Sequence, residues 1–433
     1  MKSFLQNGKN KKIFSWVLYD WANSAFATTI LATVLPIFYK DVAAKGLPAN
    51  LATSYWGYTQ TIAMLIIAII APVLGAMADY SRSRTYFLKL FAFLGITGTG
   101  LLYFINEGNY IMASAFFIMG SMGFSGANVF YDSLLPLITN KDKIDFVSSL
   151  GYASGYLGGG LLLLINLLMI TKPSYFGIPN TLTATKLSFV SVSLWWLLFS
   201  LPIFKNMPDI QQEKMSLQFK KYTVIGFNRL KKTFINARQY RELWKFLLAF
   251  WIYNDGIGTI IRMATIYGRE IGIGQTDLIG ALLMTQFIGI PFTIIFGKLG
   301  EKIGAKKGII IALMVYLLIT IKGYFLTTAF DFWLLAGLVG TVQGGAQALS
   351  RSLFGTMIPT EKSAEFFGFY GISSKFSAIT GPFIFALVGQ LTGSSRLGII
   401  SVAAFFIIGI ALLLKVDVKK GQEMVDFDTF QMK

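Results

Sequence analysis

Apolar runs of twenty or more residues recur along this 433-residue chain, and runs of that length have few places to go. About 20 helical residues cross a bilayer core of about 30 Å. In hydrocarbon every backbone N–H and C=O must be satisfied within the segment, which selects helices over open strands. Apolar residues make up 54% of the chain and charged ones 14%, at a mean hydropathy of +0.60, which excludes a soluble domain of this length. The 43 glycines fit, because small residues let membrane helices approach closely. Gly151, Gly155, Gly158, Gly159 and Gly160 gather in one run. The runs predict spans at 14–39, 54–78, 85–106, 110–135, 147–171 and 184–204, then at 244–267, 276–298, 307–328, 332–354, 366–391 and 397–415. The expected fold class is all-α integral membrane with 12 transmembrane helices.

The spans divide into two halves that repeat one another. After the second span of each half stand Gly75-x-x-x-Asp79 and Gly297-x-x-x-Glu301, each followed by a basic loop. Gly126-Ala127-Asn128 through Asp132-Ser133-Leu134 parallels Gly345-Ala346-Gln347 through Arg351-Ser352-Leu353. Asn23 and Thr28 parallel Asn254 and Thr259. Same-direction duplication predicts two pseudo-symmetric six-helix bundles related by an axis along the membrane normal, with the ligand between them. The expected organisation is an N-terminal bundle over 1–205, a linker over 206–243, a C-terminal bundle over 244–415 and a cytoplasmic tail over 416–433. In the linker Val224, Phe227, Leu230 and Phe234 recur at helical spacing among lysines and arginines, as in an amphipathic helix lying on a membrane surface.

The net charge of +17 does not indicate nucleic-acid binding, because Lys and Arg fall mostly on alternate loops. Lys9, Lys11 and Lys12, Arg82 and Arg84, Lys141 and Lys143, Lys302 with Lys306 and Lys307, and Lys415 with Lys419 and Lys420 share one side. That is the positive-inside pattern, and it places both termini in the cytoplasm. The first apolar run is too long for a signal-peptide core and reads as a retained span. The chain has no cysteine and no histidine, which excludes disulfides, thiolate metal sites and a Ser/His/Asp set. No metal, cofactor or enzymatic activity is expected, and proton coupling must run through carboxylates.

Ionisable groups in hydrocarbon are costly and mark function by default. Asp20, Trp21 and Asn23 lie in span 1, Asn128 and Asp132 in span 4, Tyr253, Asn254 and Asp255 in span 7, and Gln343 and Gln347 in span 10. These are the expected substrate and coupling residues. Arg351, Lys375 and Arg262 are the expected gate or charge-pairing residues. Asp20, Asp132, Arg351 and Lys375 fall at one depth, where they could bridge the two bundles as an inner gate or pair statically within one half. Opposite charges in one cavity also suit a zwitterion, and Trp21, Tyr19 and Tyr253 could wall it or simply pack.

The hinge loops supply Gly75, Asp79, Arg82 and Arg84 in the first half and Gly297, Glu301, Lys302 and Gly304 in the second. An acid there can meet the positive end of a neighbouring helix, and the bases can hold inner headgroups. These residues are expected to govern the conformational equilibrium without touching substrate. The first copy departs with Tyr80 in place of a base and Arg82 in place of a glycine.

A duplicated six-span unit with such hinges resembles a major facilitator superfamily transporter. Tyr19-Asp20-Trp21-Ala22-Asn23-Ser24-Ala25-Phe26, Tyr253-Asn254-Asp255-Gly256 and Gly151-Tyr152-Ala153-x-Gly155-Tyr156-Leu157-Gly158-Gly159 resemble its vacuole-effluxer-like branch, in a bacterial-type member. The resemblance implies the major facilitator fold and amino-acid efflux. The expected function is proton-coupled secondary transport of a small polar or zwitterionic solute, amino acids first, by rocking of two bundles in a bacterial inner membrane. The expected partners are the solute, a coupling ion (H+ ahead of Na+) and membrane lipid, with a monomeric protein. The alternatives are a carrier of a larger anionic or glycan-like solute and, from another class, a lipid scramblase or a non-transporting sensor.

Overall fold

The computed structural model describes residues 8–47, 83–207, 240–376, 380–392 and 394–431, with 55–56, 59, 62–63, 65–66, 74–75 and 77–78 of span 2. The linker segment 208–239 and the hinge residues Asp79 and Arg82 lie outside the described residues. The long helices are α1 (Gly8–Ala25), α2 (Arg84–Leu101), α3 (Tyr110–Ile138), α4 (Ile144–Thr171) and α5 (Thr181–Asn206), then α6 (Arg241–Glu270), α7 (Gln275–Ile303), α8 (Ala305–Tyr324) and α9 (Ala329–Thr356). Shorter ones follow: α10 (Ser363–Phe376), α11 (Thr380–Thr392), α12 (Ser395–Ser401), α13 (Ala403–Leu414) and α14 (Val418–Gln431). Nine helical stretches among the described residues are long and apolar enough to cross a membrane. Helix α6 is not one of them, because Asn254, Asp255 and Arg262 interrupt its apolar sequence.

The helix ends follow from local chemistry. Gly304 sits at φ +88°, which a side chain would resist, and there α7 ends and α8 begins. Thr328 and Asp331 close a reciprocal capping box at the start of α9. The Asn180 side chain accepts the Thr183 N–H at the start of α5.

Two features depart from the expected organisation. Span 1 is not a uniform helix: wide π turns run through Phe26–Thr33 and Tyr39–Ala43. The Thr33 hydroxyl donates to the carbonyl of Thr28, five residues back, as a widened turn allows. Of the expected span 366–391, α10 to Phe376 and α11 from Thr380 are described, and residues 377–379 lie outside the described residues. The expected tail contains a helix, α14, whose Gly421 and Val425 are buried.

The chain forms two compact units. The first comprises Met1–Leu134 and Ser154–Gly226. In it α1 packs along α5, and Phe26, Phe124 and Trp196 share an aromatic core. The second comprises Leu135–Ala153 and Phe227–Lys433. It thus takes in the turn between α3 and α4, which belongs to the first half of the sequence: Pro136 and Ile144 lie against Gly355 of α9. Helix α7 packs along α9. Helix α14 is tied down by Glu242, which accepts the Asp417 N–H at 2.8 Å, and Gly421 meets Met357. Lys306 donates to the carbonyls of Leu414 and Val416 and so satisfies the C-terminal end of α13.

Candidate functional site

In the first unit the polar groups of α1 are paired with α3. Asn23 donates its amide to the Asn128 side chain at 2.6 Å. One turn earlier, the Tyr131 hydroxyl donates to the buried Asp20 carboxylate at 2.9 Å. The same tyrosine stacks on Trp16 at 4.4 Å and accepts the Trp16 indole N–H at its backbone carbonyl. Asp132 is half-buried on the following position of α3. Trp21 stacks on Trp195, meets Phe199 edge-on and covers Gly158.

In the second unit Asp255 is buried on α6, and its Oδ1 accepts the backbone N–H of Gly381 at 2.9 Å. The Thr259 hydroxyl donates to the Asp255 carbonyl. A Cβ on Gly381 would collide with Thr259 Oγ1 and Asp255 Oδ1, so the approach of α11 to α6 requires glycine there. The first unit carries an equivalent contact: Gly155 and Gly159 of α4 lie against Ser24 of α1 and Thr28 of the widened turns that follow it, and Thr28 donates to the Gly159 carbonyl. Thr28 and Thr259, which match in sequence, thus each face a glycine of the helix packed against them. Tyr253 bonds to Ser350 of α9 at 2.6 Å, and Asn254 is half-buried.

Arg351 is buried on α9. It donates from Nε to the Ser148 hydroxyl at 2.9 Å and from Nη2 to the Ser148 carbonyl at 2.7 Å. Its guanidinium lies 4.2 Å from the centre of the Tyr152 ring. A planar fork that both donates and stacks is a use of arginine that lysine cannot reproduce. Lys375 stands on α10, and its side chain is outside the described residues.

The second hinge loop is packed against α4. Positions for a Cβ on Gly297 and on Gly300 are filled by Ser149 and by Leu349 and Asp145, while Glu301 and Lys302 are exposed. Of the first copy, Gly75 is buried and Arg84 opens α2. Against Ile260, Ile261 and Ala264 of α6 lies a largely apolar cavity of about 100 Å³, reached by Gln286 and Gln343 and bounded by Tyr267 and Phe332. Gln347 is half-buried one turn beyond Gln343.

Sequence reasoning did not single out Ser148, Ser350 or Gly381. Serine hydroxyls carry no charge signal.

The family model of the vacuole effluxer Atg22-like proteins matches residues 48–426. The chain belongs to the vacuole effluxer Atg22-like family. It is 40% identical over 402 residues to the MFS-type transporter YxiO of Bacillus subtilis (strain 168), covering 92% of this chain and 93% of that protein. It is 24% identical over 495 residues to autophagy-related protein 22 of Pichia angusta, covering 89% and 88%. The proton:xylose symporter XylE superposes with a TM-score of 0.69 at 13% identity, covering 99% of each chain. The Escherichia coli fucose:proton symporter FucP gives 0.68 at 14%, covering 94% and 98%. These two show the fold alone, the major facilitator fold. With its Atg22-like relatives, this chain is an integral membrane transporter of the major facilitator superfamily and not an enzyme.

Proposed function

We propose that the protein is a proton-coupled secondary transporter that exports a small polar or zwitterionic solute, amino acids first, by alternating access of its two bundles. The observation that carries this reading is the pair of buried carboxylates, Asp20 on α1 and Asp255 on α6, held by Tyr131 and by the Gly381 N–H. A carboxylate set inside a membrane bundle is costly to keep there, which suits it to carrying a coupling proton. With no histidine in the chain, carboxylates are the groups suited to that role. Asp132 completes the coupling set. The hinge residues Gly297, Glu301 and Lys302 set the balance between conformations. The bias of Lys and Arg supports a cytoplasmic-membrane protein with both termini inside, and the reading is of a monomer.

Proteoliposomes with an imposed pH gradient test this directly. Amino-acid uptake should follow the gradient in the wild type and fail in Asp20→Asn and in Asp255→Asn, with both variants folded. Full gradient-driven uptake in both variants would remove the carboxylates from coupling.

A further inference from the structure

We infer that the second unit carries a binding site for a small uncharged amphiphile, a body of about five carbons with one hydroxyl or amide end, in the cavity among α6, α7, α8, α9 and α12. The site goes beyond the transport reading. Asp255 does not line it, and it takes a ligand of opposite chemistry to a charged solute. Its walls are apolar, with Ile260, Ile319, Phe332, Leu335 and Val339 among them. Three hydroxyls also reach it, and each is bonded to a backbone carbonyl. Tyr267 donates to Gly323 at 2.9 Å, Thr285 to Ala281 and Ala336 at 3.0 Å, and Thr320 to Tyr316 at 2.8 Å. Those bonds leave walls that water wets poorly, so an apolar body gains by entering.

Two carboxamides are the exception. Gln286 of α7 and Gln343 of α9 both line the cavity, half-buried, and neither side chain makes a hydrogen bond within the described residues. Each offers N–H donors and an acceptor, the complement of a hydroxyl or amide end. No charged side chain lines the cavity among the described residues. An ammonium or carboxylate entering it would lose water without gaining an ionic partner, which selects an uncharged ligand. The volume of about 100 Å³ sets the size. A dry cavity of about 150 Å³ with such walls takes benzene, so a saturated five-membered ring or a branched chain of similar bulk is the fit here. An occupant touches α6, α7, α8, α9 and α12 together and stabilises the packing in which the cavity exists.

Thermal unfolding of the purified full chain in detergent tests the site with three probes of similar size: cyclopentanol, protonated cyclopentylamine and cyclopentane. Ala336→Phe, which fills the cavity from α9, is the matched control, and Ala264→Leu from α6 replaces it if the first variant does not fold. Probe that only enters the micelle acts equally on the wild type and the filled variant. Cyclopentanol should raise the wild-type melting temperature by about 2 °C or more beyond its effect on the filled variant. Cyclopentane should give a smaller rise, and cyclopentylamine none. Gln286→Leu combined with Gln343→Leu should remove the preference for cyclopentanol over cyclopentane. Equal shifts in the wild type and the filled variant show an adventitious additive only and overturn the site, as does no shift with any probe. A response to cyclopentylamine as large as that to cyclopentanol overturns the uncharged class. An undiminished preference in the double glutamine variant removes the carboxamides as the polar contact. Gradient-driven uptake is a separate readout, so failure of this site leaves the transport reading standing.

Discussion

The Asp255 carboxylate of α6 takes its hydrogen bond from the Gly381 backbone N–H at the start of α11. The bond joins α6 to α11, so the charge on Asp255 and the position of α11 are mechanically linked.

Substitutions at Asp255 separate charge from shape. Asp255→Asn keeps an acceptor for the Gly381 N–H and should unfold within a few degrees of the wild type. Asp255→Ala leaves that N–H unsatisfied and should lose about 1–3 kcal/mol. Detergent thermal unfolding of the two variants side by side checks this, and equal stability would deny the bond a structural role.

Gly381→Ala places a methyl on Thr259 Oγ1 and Asp255 Oδ1. Overpacking of this kind costs about 1–3 kcal/mol. Because the nearest atom belongs to the threonine side chain, Thr259→Ala in the same chain should restore part of the loss. A double-mutant cycle measures the recovery.

Asn23 and Asn128 pair across α1 and α3 at 2.6 Å. Bonds of this type between membrane helices are worth about 0.6 kcal/mol on average and up to about 2. Asn23→Leu and Asn128→Leu should each destabilise the first unit, and the double variant should cost less than their sum. Strict additivity would show that the two side chains do not interact.

Arg351→Lys retains the charge but loses the fork to Ser148 and the stacking on Tyr152. It should destabilise by about 1–3 kcal/mol. Tyr152→Phe keeps the ring face and should be close to neutral, whereas Tyr152→Leu should cost about 1 kcal/mol. Thermal unfolding of the three variants orders them.

Glu242 holds α14 in place. Burial raises the pKa of its carboxyl, but the bonds from Lys245 and from the Asp417 N–H outweigh burial and set it below the ordinary value. A carboxyl depressed in the folded state stabilises above its unfolded pKa of about 4.3, and the contribution fades as pH falls through the folded value. Docking of α14 should therefore be complete near neutral pH and weaken in acid. Glu242→Gln should flatten that dependence, and the distance from α14 to α6 by spin labelling is the readout.

The helices were legible because length and hydropathy decide them. Span 10 was expected at 332–354 and is Ala329–Thr356, extended by the Thr328 cap. The duplication was equally legible, since Asn23/Asn254 and Thr28/Thr259 stand at matching positions. The bonds made by those residues were not. Whether Arg351 meets a carboxylate or the carbonyl of Ser148 depends on how α4 and α9 pack, which no local pattern specifies. The placement of Leu135–Ala153 with the second unit escaped the sequence for the same reason: covalent order put it in the first half, and Gly355 admits it to the other. The π turns of span 1 leave no compositional trace, because Phe26–Thr33 reads as any apolar helix would.

Those π turns have a consequence for how the first unit can be altered. Helix α1 and its continuation are clipped to α3 at two heights, by Asn23 to Asn128 and by the Tyr39 hydroxyl to Ser114. More residues lie between the clips on the first strand of chain than on the second, and the widened turns take up the surplus. The stretch Phe26–Thr33 thus behaves as slack: removing a residue there can be absorbed by tightening toward regular pitch, while the same deletion below Asn23 would swing Asp20 and Trp16 out of phase with Tyr131.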